Sequence, residues 1–403
     1  MVGLSEIREA RRRIAGQVLE TPCTPSGVLG DLFGGRAWIK FENLQRTGSF
    51  KERGALNRML DLTTEERVRG VIAASAGNHA QGVAYHAARL GVPATIVMPA
   101  RTPLIKVANT ERLGARVVLN GDVYDAAMAE ALRLRAEGGL TLVHPFDDDL
   151  VIAGQGTIGL ELLEQVPEME VLVVPIGGGG LIAGIVAAVK SVRPEVRVVG
   201  VEAATLPAAL RAREAGKPVT IEPGETIAEG IAVRRIGERT FPMIERYVDE
   251  IVTVSEDELA NTILLLLERE KTVAEGAGAA AVAAVVQGKV ADVAGRAVVM
   301  LLSGGNIDVN LLSRIIDRGL MKDGRLAEIR VRVKDRPGAL ATLTRLVAEG
   351  GANILHLAHR RGMVDAGLTE AEIALTLELR GHDHAEAIRE LLRGEGFTVL
   401  AAA

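Results

Sequence analysis

Between residues 70 and 310 the chain alternates short apolar runs with longer stretches of helical spacing. Gly70–Ser75 (GVIAAS), Ala94–Met98 (ATIVM), Ala115–Leu119 (ARVVL), Val171–Ile176 (VLVVPI), Arg197–Val201 (RVVGV) and Ala297–Leu302 (AVVMLL) are rich in β-branched residues and bounded by Gly, Pro or Ser. Such runs, without polar alternation, predict strands buried on both faces. Gly77–Leu90, Val123–Glu137 and Leu181–Val192 predict helices between them. The alternation predicts βαβ units, hence an α/β fold of open parallel sheets covered by helices. We place this first domain at residues 1–318, with a smaller subdomain nested at about 70–147.

The pattern changes after that. Asp317–Leu326 (DRGLMKDGRL) is polar with two glycines and predicts a linker at 319–327. Beyond it, Glu328–Lys334 alternates as a strand, Asp335-Arg336-Pro337-Gly338 is a turn, and Ala339–Glu349 is an amphipathic helix. Ala352–Arg360 and Glu372–Arg380 predict two strands, His384–Arg393 a helix and Phe397–Leu400 a last strand. The order βαββαβ predicts a ferredoxin-like domain over 328–403.

Composition narrows the function classes. Hydrophobic residues make up 48% and charged residues 25%, a globular balance. A net charge of -5 gives no basic surface for nucleic acid or anionic membrane, and 2% aromatics leave little for base stacking. No apolar run is long enough to span a membrane and no signal pattern opens the chain, so a cytoplasmic protein is expected. Cys23 is the sole cysteine, which excludes an intrachain disulfide and a cysteine-built metal site. Glycine is the outlier, with 45 of 403 residues, well above the usual level of about 7%. Several of these glycines cluster at predicted strand ends.

Four segments carry candidate chemistry. In Lys40–Leu56 (KFENLQRTGSFKERGAL), Thr47-Gly48-Ser49 signals a helix start at about Phe50. Lys51 then sits at the positive end of the helix dipole, where its amine is pushed towards the neutral, nucleophilic form. The plain alternative is a solvated surface lysine. Ser75–Gly82 (SAGNHAQG) follows a buried strand and opens a helix, the place where α/β sheets bind ligands. The helix amides there suit a carboxylate and Asn78 can donate a hydrogen bond, although Ser75 as an ordinary helix cap is equally open. Gly177-Gly178-Gly179-Gly180-Leu181 joins a strand to a helix with bare amides, a phosphate cup. Leu302-Ser303-Gly304-Gly305-Asn306 ends another strand and sets a hydroxyl at the same edge. The glycines at 178, 180 and 184, with Glu202 closing the next strand, also mimic a dinucleotide fingerprint, although the third glycine comes one position late for G-x-G-x-x-G. A nicotinamide-dependent oxidoreductase therefore stays open on the residues alone.

Taken together, these segments resemble the fold-type II pyridoxal-phosphate enzymes, and specifically the threonine dehydratases (threonine ammonia-lyases), over essentially the whole chain. The resemblance implies a tryptophan-synthase-β-like pair of parallel-sheet subdomains with pyridoxal 5'-phosphate as cofactor. It implies Lys51 as the lysine that carries the cofactor, beside Phe50, and Asn78 at the cofactor's 3-oxygen. Gly177, Gly178, Gly179, Gly180 and Leu181 fall on the phosphate cup and Ser303 on the partner of the ring nitrogen. Ser75, Gly77 and His79 would line the substrate carboxylate site. The serine racemases of this family carry a serine where this chain has Ala76, so the resemblance favours dehydration of threonine, with serine as a second substrate, over racemisation. Glu202 matches one ligand of a cation site in the racemase-like branch, yet Ala208 stands where that branch places a carboxylate.

Residues 328–403 resemble an ACT domain, a module that commonly binds amino acids between paired copies. Asp335, Arg336, Pro337 and Gly338 in the turn, with Asn353 and Ile354 at the next strand, carry this resemblance. It implies an amino-acid effector, isoleucine or valine being the natural ones to test, and a homo-oligomer, dimer or tetramer.

Overall fold

The protein is described by a computed structural model covering residues 1–361 and 369–400. The chain divides into two compact units, Met1–Ile307 and Asp308–Ala403.

The described residues hold fourteen strands. In the first unit these are β1 (Cys23–Ser26), β2 (Arg36–Phe41), β3 (Val71–Ala74), β4 (Ala94–Met98), β5 (Arg116–Leu119), β6 (Thr141–Leu142), β7 (Val171–Pro175), β8 (Arg197–Ala203), β9 (Glu250–Val254) and β10 (Ala297–Leu302). They form two sheets, a larger one ordered β1-β2-β10-β7-β8-β9 and a smaller one ordered β5-β4-β3-β6. The small sheet is parallel throughout. The large one is parallel except for β1, which returns antiparallel beside β2 through the short helix Gly27–Phe33. A short connection suffices for antiparallel neighbours, whereas parallel ones need a crossover.

Every residue of β3, β7 and β10 is buried, which accounts for their unbroken apolar sequences. The helices Asp149–Gln165 and Gly180–Val192 bury most of their positions and interlock through glycine. A Cβ on Gly184 would lie 2.2 Å from the Ile152 carbonyl oxygen, so only glycine allows this approach. Of the large sheet, β1, β2 and β9 escape the apolar-run criterion, because RAWIKF and EIVTV mix charge with apolar positions.

In the second unit, β11 (Leu326–Lys334), β12 (Asn353–Arg361), β13 (Glu370–Glu378) and β14 (Thr398–Val399) pair antiparallel in the order β12-β13-β11-β14. With helices Ala339–Glu349 and His382–Gly394 the order is βαββαβ. Leu343, Leu346, Val347, Ile388 and Leu392 close the core against Ile329, Val331 and Val333 of β11. The polar stretch at 319–327 is more structured than a linker. It holds the last turn of the helix Val309–Lys322 and the start of β11. Gly319 is a buried helical position, and the helix ends before Gly324, which takes φ +68.

Candidate active site

Strand ends of the first unit converge on one pocket, as expected for open α/β sheets. Phe50, Lys51, Asn78, Gly177, Gly178, Gly179, Gly180, Leu181 and Ser303 all line it. Their segments follow β2, β3, β7 and β10 respectively. Phe146, Pro175, Gly230, Ile231, Glu275 and Ala277 complete the wall.

Lys51 is the first residue of the helix Lys51–Leu60, half-buried at the pocket wall. Its Nζ donates to the Pro145 carbonyl at 2.9 Å and lies 5.1 Å from the Phe50 ring centroid. Burial lowers the amine to about 8, against the pull of the nearby Glu275 carboxylate. Desolvation is thus the leading cause, where the sequence pointed to the helix dipole. The Phe50 amide donates to the Ser303 carbonyl at 3.2 Å, which ties this helix start to the end of β10.

Beneath the same helix lies a group of charges that no local pattern announces. Arg53, fully buried, donates to Glu42 at 2.7 and 2.8 Å and to Glu161 at 2.5 and 2.9 Å. Lys40, also fully buried, donates to Glu161 at 2.5 Å, to the Thr21 carbonyl at 2.7 Å and to Gln165 at 2.9 Å. Two cations face two carboxylates, so the cluster is neutral as a whole. Bidentate pairing of this kind offsets the large cost of removing charges from water.

Across the pocket, Gly179 takes φ +92 and caps the helix Gly180–Val192, whose first amides have no acceptor within the helix. A Cβ on Gly178 would lie 2.3 Å from the Phe146 ring, and one on Gly180 would lie 2.8 Å from the Phe146 carbonyl oxygen. The glycines therefore let the backbone close on Phe146 while presenting bare amides at the positive end of a helix. Ser303 Oγ is buried and donates weakly to the Ala277 carbonyl at 3.4 Å.

Asn78 opens the helix Asn78–Leu90. Its Nδ2 donates to Glu275 at 2.5 Å, and its Oδ1 accepts from Asn306 at 2.7 Å. Burial raises the Glu275 carboxyl to about 7; the hydrogen bond from Asn78 opposes that rise. Sequence reading missed Glu275: it stands in KTVAEGAGAA before a glycine- and alanine-rich helix, with no motif of its own.

Ser75, Gly77 and His79 are absent from the pocket wall. Ser75 Oγ accepts from the Gly77 amide at 3.2 Å, and Gly77 itself, not Ser75, is the helix cap. His79 is buried, bonded through Nε2 to the Val143 carbonyl at 2.8 Å, and held neutral by burial, with its pKa lowered to about 3. Ala76 packs half-buried against the small-sheet core. Glu202 accepts from the amides of Ala209 and Leu210 at 2.7 and 2.9 Å, capping the helix Ala208–Ala215. Burial pushes it up to about 7.

In the second unit, Asp335 pairs with Arg361 at 2.9 Å and Gly338 takes φ +88 ahead of the helix Ala339–Glu349. Arg336 and Pro337 are exposed in the turn between them. Asn353 donates to Glu378 at 3.2 Å, and Ile354 packs on the core. The pairing register aligns Asn353 with Glu378 and Glu378 with Leu326, at the far end of β11 from Lys334. Eight strand steps separate those ends, about 27 Å. Within one copy, the turn and the Asn353–Ile354 segment do not meet.

The sequence profile described as "Pyridoxal-phosphate dependent enzyme" matches residues 14–304, and that of the ACT domain matches residues 327–397. An L-threonine ammonia-lyase of Thermotoga maritima is 49% identical over 99% of both chains. A solved threonine deaminase from T.th. is 45% identical, covers 76% of this chain and 99% of its own, and superposes with a TM-score of 0.72. Maize serine racemase is 33% identical, covers 80% and 98%, and superposes with a TM-score of 0.75. With its lysine, asparagine, glycine cup and serine gathered on one pocket, this chain belongs to the pyridoxal-phosphate-dependent enzyme family and carries a C-terminal ACT domain.

Proposed function

We propose that this enzyme is an L-threonine ammonia-lyase, converting L-threonine to 2-oxobutanoate and ammonia and L-serine to pyruvate and ammonia. The observation that carries the reading is the pocket itself: a lysine with a depressed pKa shares one wall with bare helix-start amides and a neutral serine hydroxyl. This donor set fits pyridoxal phosphate: Gly177–Gly180 would hold the phosphate, Ser303 would face the ring nitrogen and Asn78 would donate to the 3-oxygen. When bound, the cofactor supplies the electron sink that acidifies the substrate's Cα–H bond.

The chain's own residues do the rest. Lys51, neutral above about pH 8, holds the cofactor and then takes the Cα proton. Loss of that proton with the β-hydroxyl removes one water, and the enamine released takes water back to yield the 2-oxo acid and ammonia. Ser303 carries no charge, so it does not hold the ring nitrogen protonated as an aspartate would. That favours expulsion of the β-hydroxyl over return of the proton. Ala76 has no proton to deliver from the opposite face, which supports elimination over racemisation despite the likeness to maize serine racemase.

The second unit reads as a regulatory module for a small amino acid. Its two recognition segments lie about 27 Å apart along one sheet by strand rise, which supports an effector site shared between two copies in a homo-oligomer.

Purified full-length protein is expected to be yellow, with borohydride trapping the cofactor on Lys51. Added L-threonine should yield 2-oxobutanoate, and L-serine should yield pyruvate with little D-serine. A colourless protein that binds a nicotinamide dinucleotide would overturn the reading.

A further inference from the structure

Asn306 and Glu275 have no part in the assignment so far, yet both bond the side chain of Asn78. An asparagine amide is nearly symmetric in shape, so its neighbours decide which end carries the donor. Here the decision traces back to the backbone. The Thr47 carbonyl can only accept, and Asn306 Nδ2 lies 2.7 Å from it. The same Nδ2 carries a second hydrogen, which goes to Asn78 Oδ1. That turns Asn78 Nδ2 towards the Glu275 carboxylate. Reversing any member would set carbonyl against carbonyl or N–H against N–H somewhere along the row.

Two glycines leave room for this row. A Cβ on Gly304 would lie 2.2 Å from Glu275 Oε1 and 3.2 Å from Asn78 Nδ2. One on Gly48, which takes φ +74, would lie 2.4 Å from Asn306 Oδ1. The Gly305 amide also donates to the Gly48 carbonyl at 2.9 Å, bringing the Lys51 loop and the Ser303 loop together.

We propose that Asn306 and Glu275 are positioning residues that lock the Asn78 amide in one orientation, leaving its second Nδ2 hydrogen as the donor to the cofactor's 3-oxygen. The inference rests on the reading of the pocket as a pyridoxal-phosphate site with Asn78 beside that oxygen. The row also links the Lys51 loop to the Asn78 helix, so the lysine and the amide are set by one directional chain of hydrogen bonds.

Asn306→Asp tests it in the full-length, cofactor-saturated enzyme. The change keeps the shape but turns a donor into an acceptor facing both the Thr47 carbonyl and Asn78 Oδ1. The absorption maximum of the bound cofactor and its titration midpoint should shift, and kcat should fall about tenfold, the worth of one hydrogen bond, with KM for threonine changed less. Adding Glu275→Gln provides a donor for a reversed Asn78. The double variant should therefore regain thermal stability while its spectrum stays shifted, a separation that a merely structural role would not give. Should Asn306→Asp fail to fold, Asn306→Ala removes both donors without adding charge, and a smaller shift in the same direction is expected. An unchanged spectrum and kcat in a folded Asn306 variant would overturn the lock, as would a double variant that recovers spectrum and stability together. Failure of the underlying reading shows separately, as a wild-type protein with no borohydride-trapped chromophore on Lys51.

Discussion

The two units of this chain place their candidate recognition residues in opposite ways. In the first, segments far apart in sequence, following parallel strands of two sheets, are brought to one pocket. In the second, two segments close in sequence are carried to opposite ends of an antiparallel sheet. A parallel sheet gathers its strand ends, whereas an antiparallel one distributes them. The first unit thus lines its pocket with residues of a single chain, whereas the two segments of the second stay apart within one chain.

The most severe test of the self-contained pocket is Lys51→Ala. Turnover should fall by about 10³-fold or more, and borohydride should trap no cofactor. In hybrids with wild-type chains, activity should follow the fraction of wild-type chains; a larger loss would mean that chains share the pocket. Next comes Arg53→Met, which leaves Glu42 and Glu161 facing each other without their main partner. We expect a loss of about 3–5 kcal/mol, read as a lower denaturant midpoint. A loss below about 1 kcal/mol would show that the cluster is hydrated or easily rearranged.

For the second unit, chains carrying Gly338→Val or Asn353→Ala should each lose the response to isoleucine or valine as homo-oligomers. Mixed oligomers should regain part of it, because one intact shared site needs the turn of one copy and the strand of another. No recovery on mixing would break the comparison.

A smaller effect concerns pH. The Lys51 amine, lowered to about 8 by burial, becomes the neutral nucleophile as pH rises through that value. Cofactor capture by the apoprotein should quicken from pH 7 to 9 and then level off, followed by the growth of its absorbance. A continued rise beyond pH 10 would mean an amine with its ordinary value. Smallest of all, Ala76→Ser should raise D-serine formation from a trace to a measurable fraction, and no rise in a folded variant would count against the opposite-face argument.

Much of this was legible in the sequence because it depends on short-range rules. Valine- and isoleucine-rich runs mark strands, most of them buried although β5 at the edge of the small sheet is not, and the glycine-rich segments after them mark the pocket, so Lys51, Asn78, Gly177–Gly180 and Ser303 could be placed at its wall in advance. What escaped depends on long-range packing. Lys40, Glu42 and Arg53 look like ordinary solvated charges, and only the arrival of Glu161 from a distant helix makes them interior. Glu275 and Asn306 matter because of where Asn78 lies, more than two hundred positions away for Asn306. His79 is a different case: its position in the motif suggested a ligand contact, while its Nε2 bonds the Val143 carbonyl and the residue is not among those lining the pocket.

The buried cluster under the Lys51 helix also bears on how such a sequence can change over time. Four charges that balance only as a set admit few single steps, since losing any one leaves a carboxylate or a cation stranded away from water. Surface positions can drift one by one. Lys40, Glu42, Arg53 and Glu161 would have to move together, which ties the foundation of the lysine's helix to one joint solution.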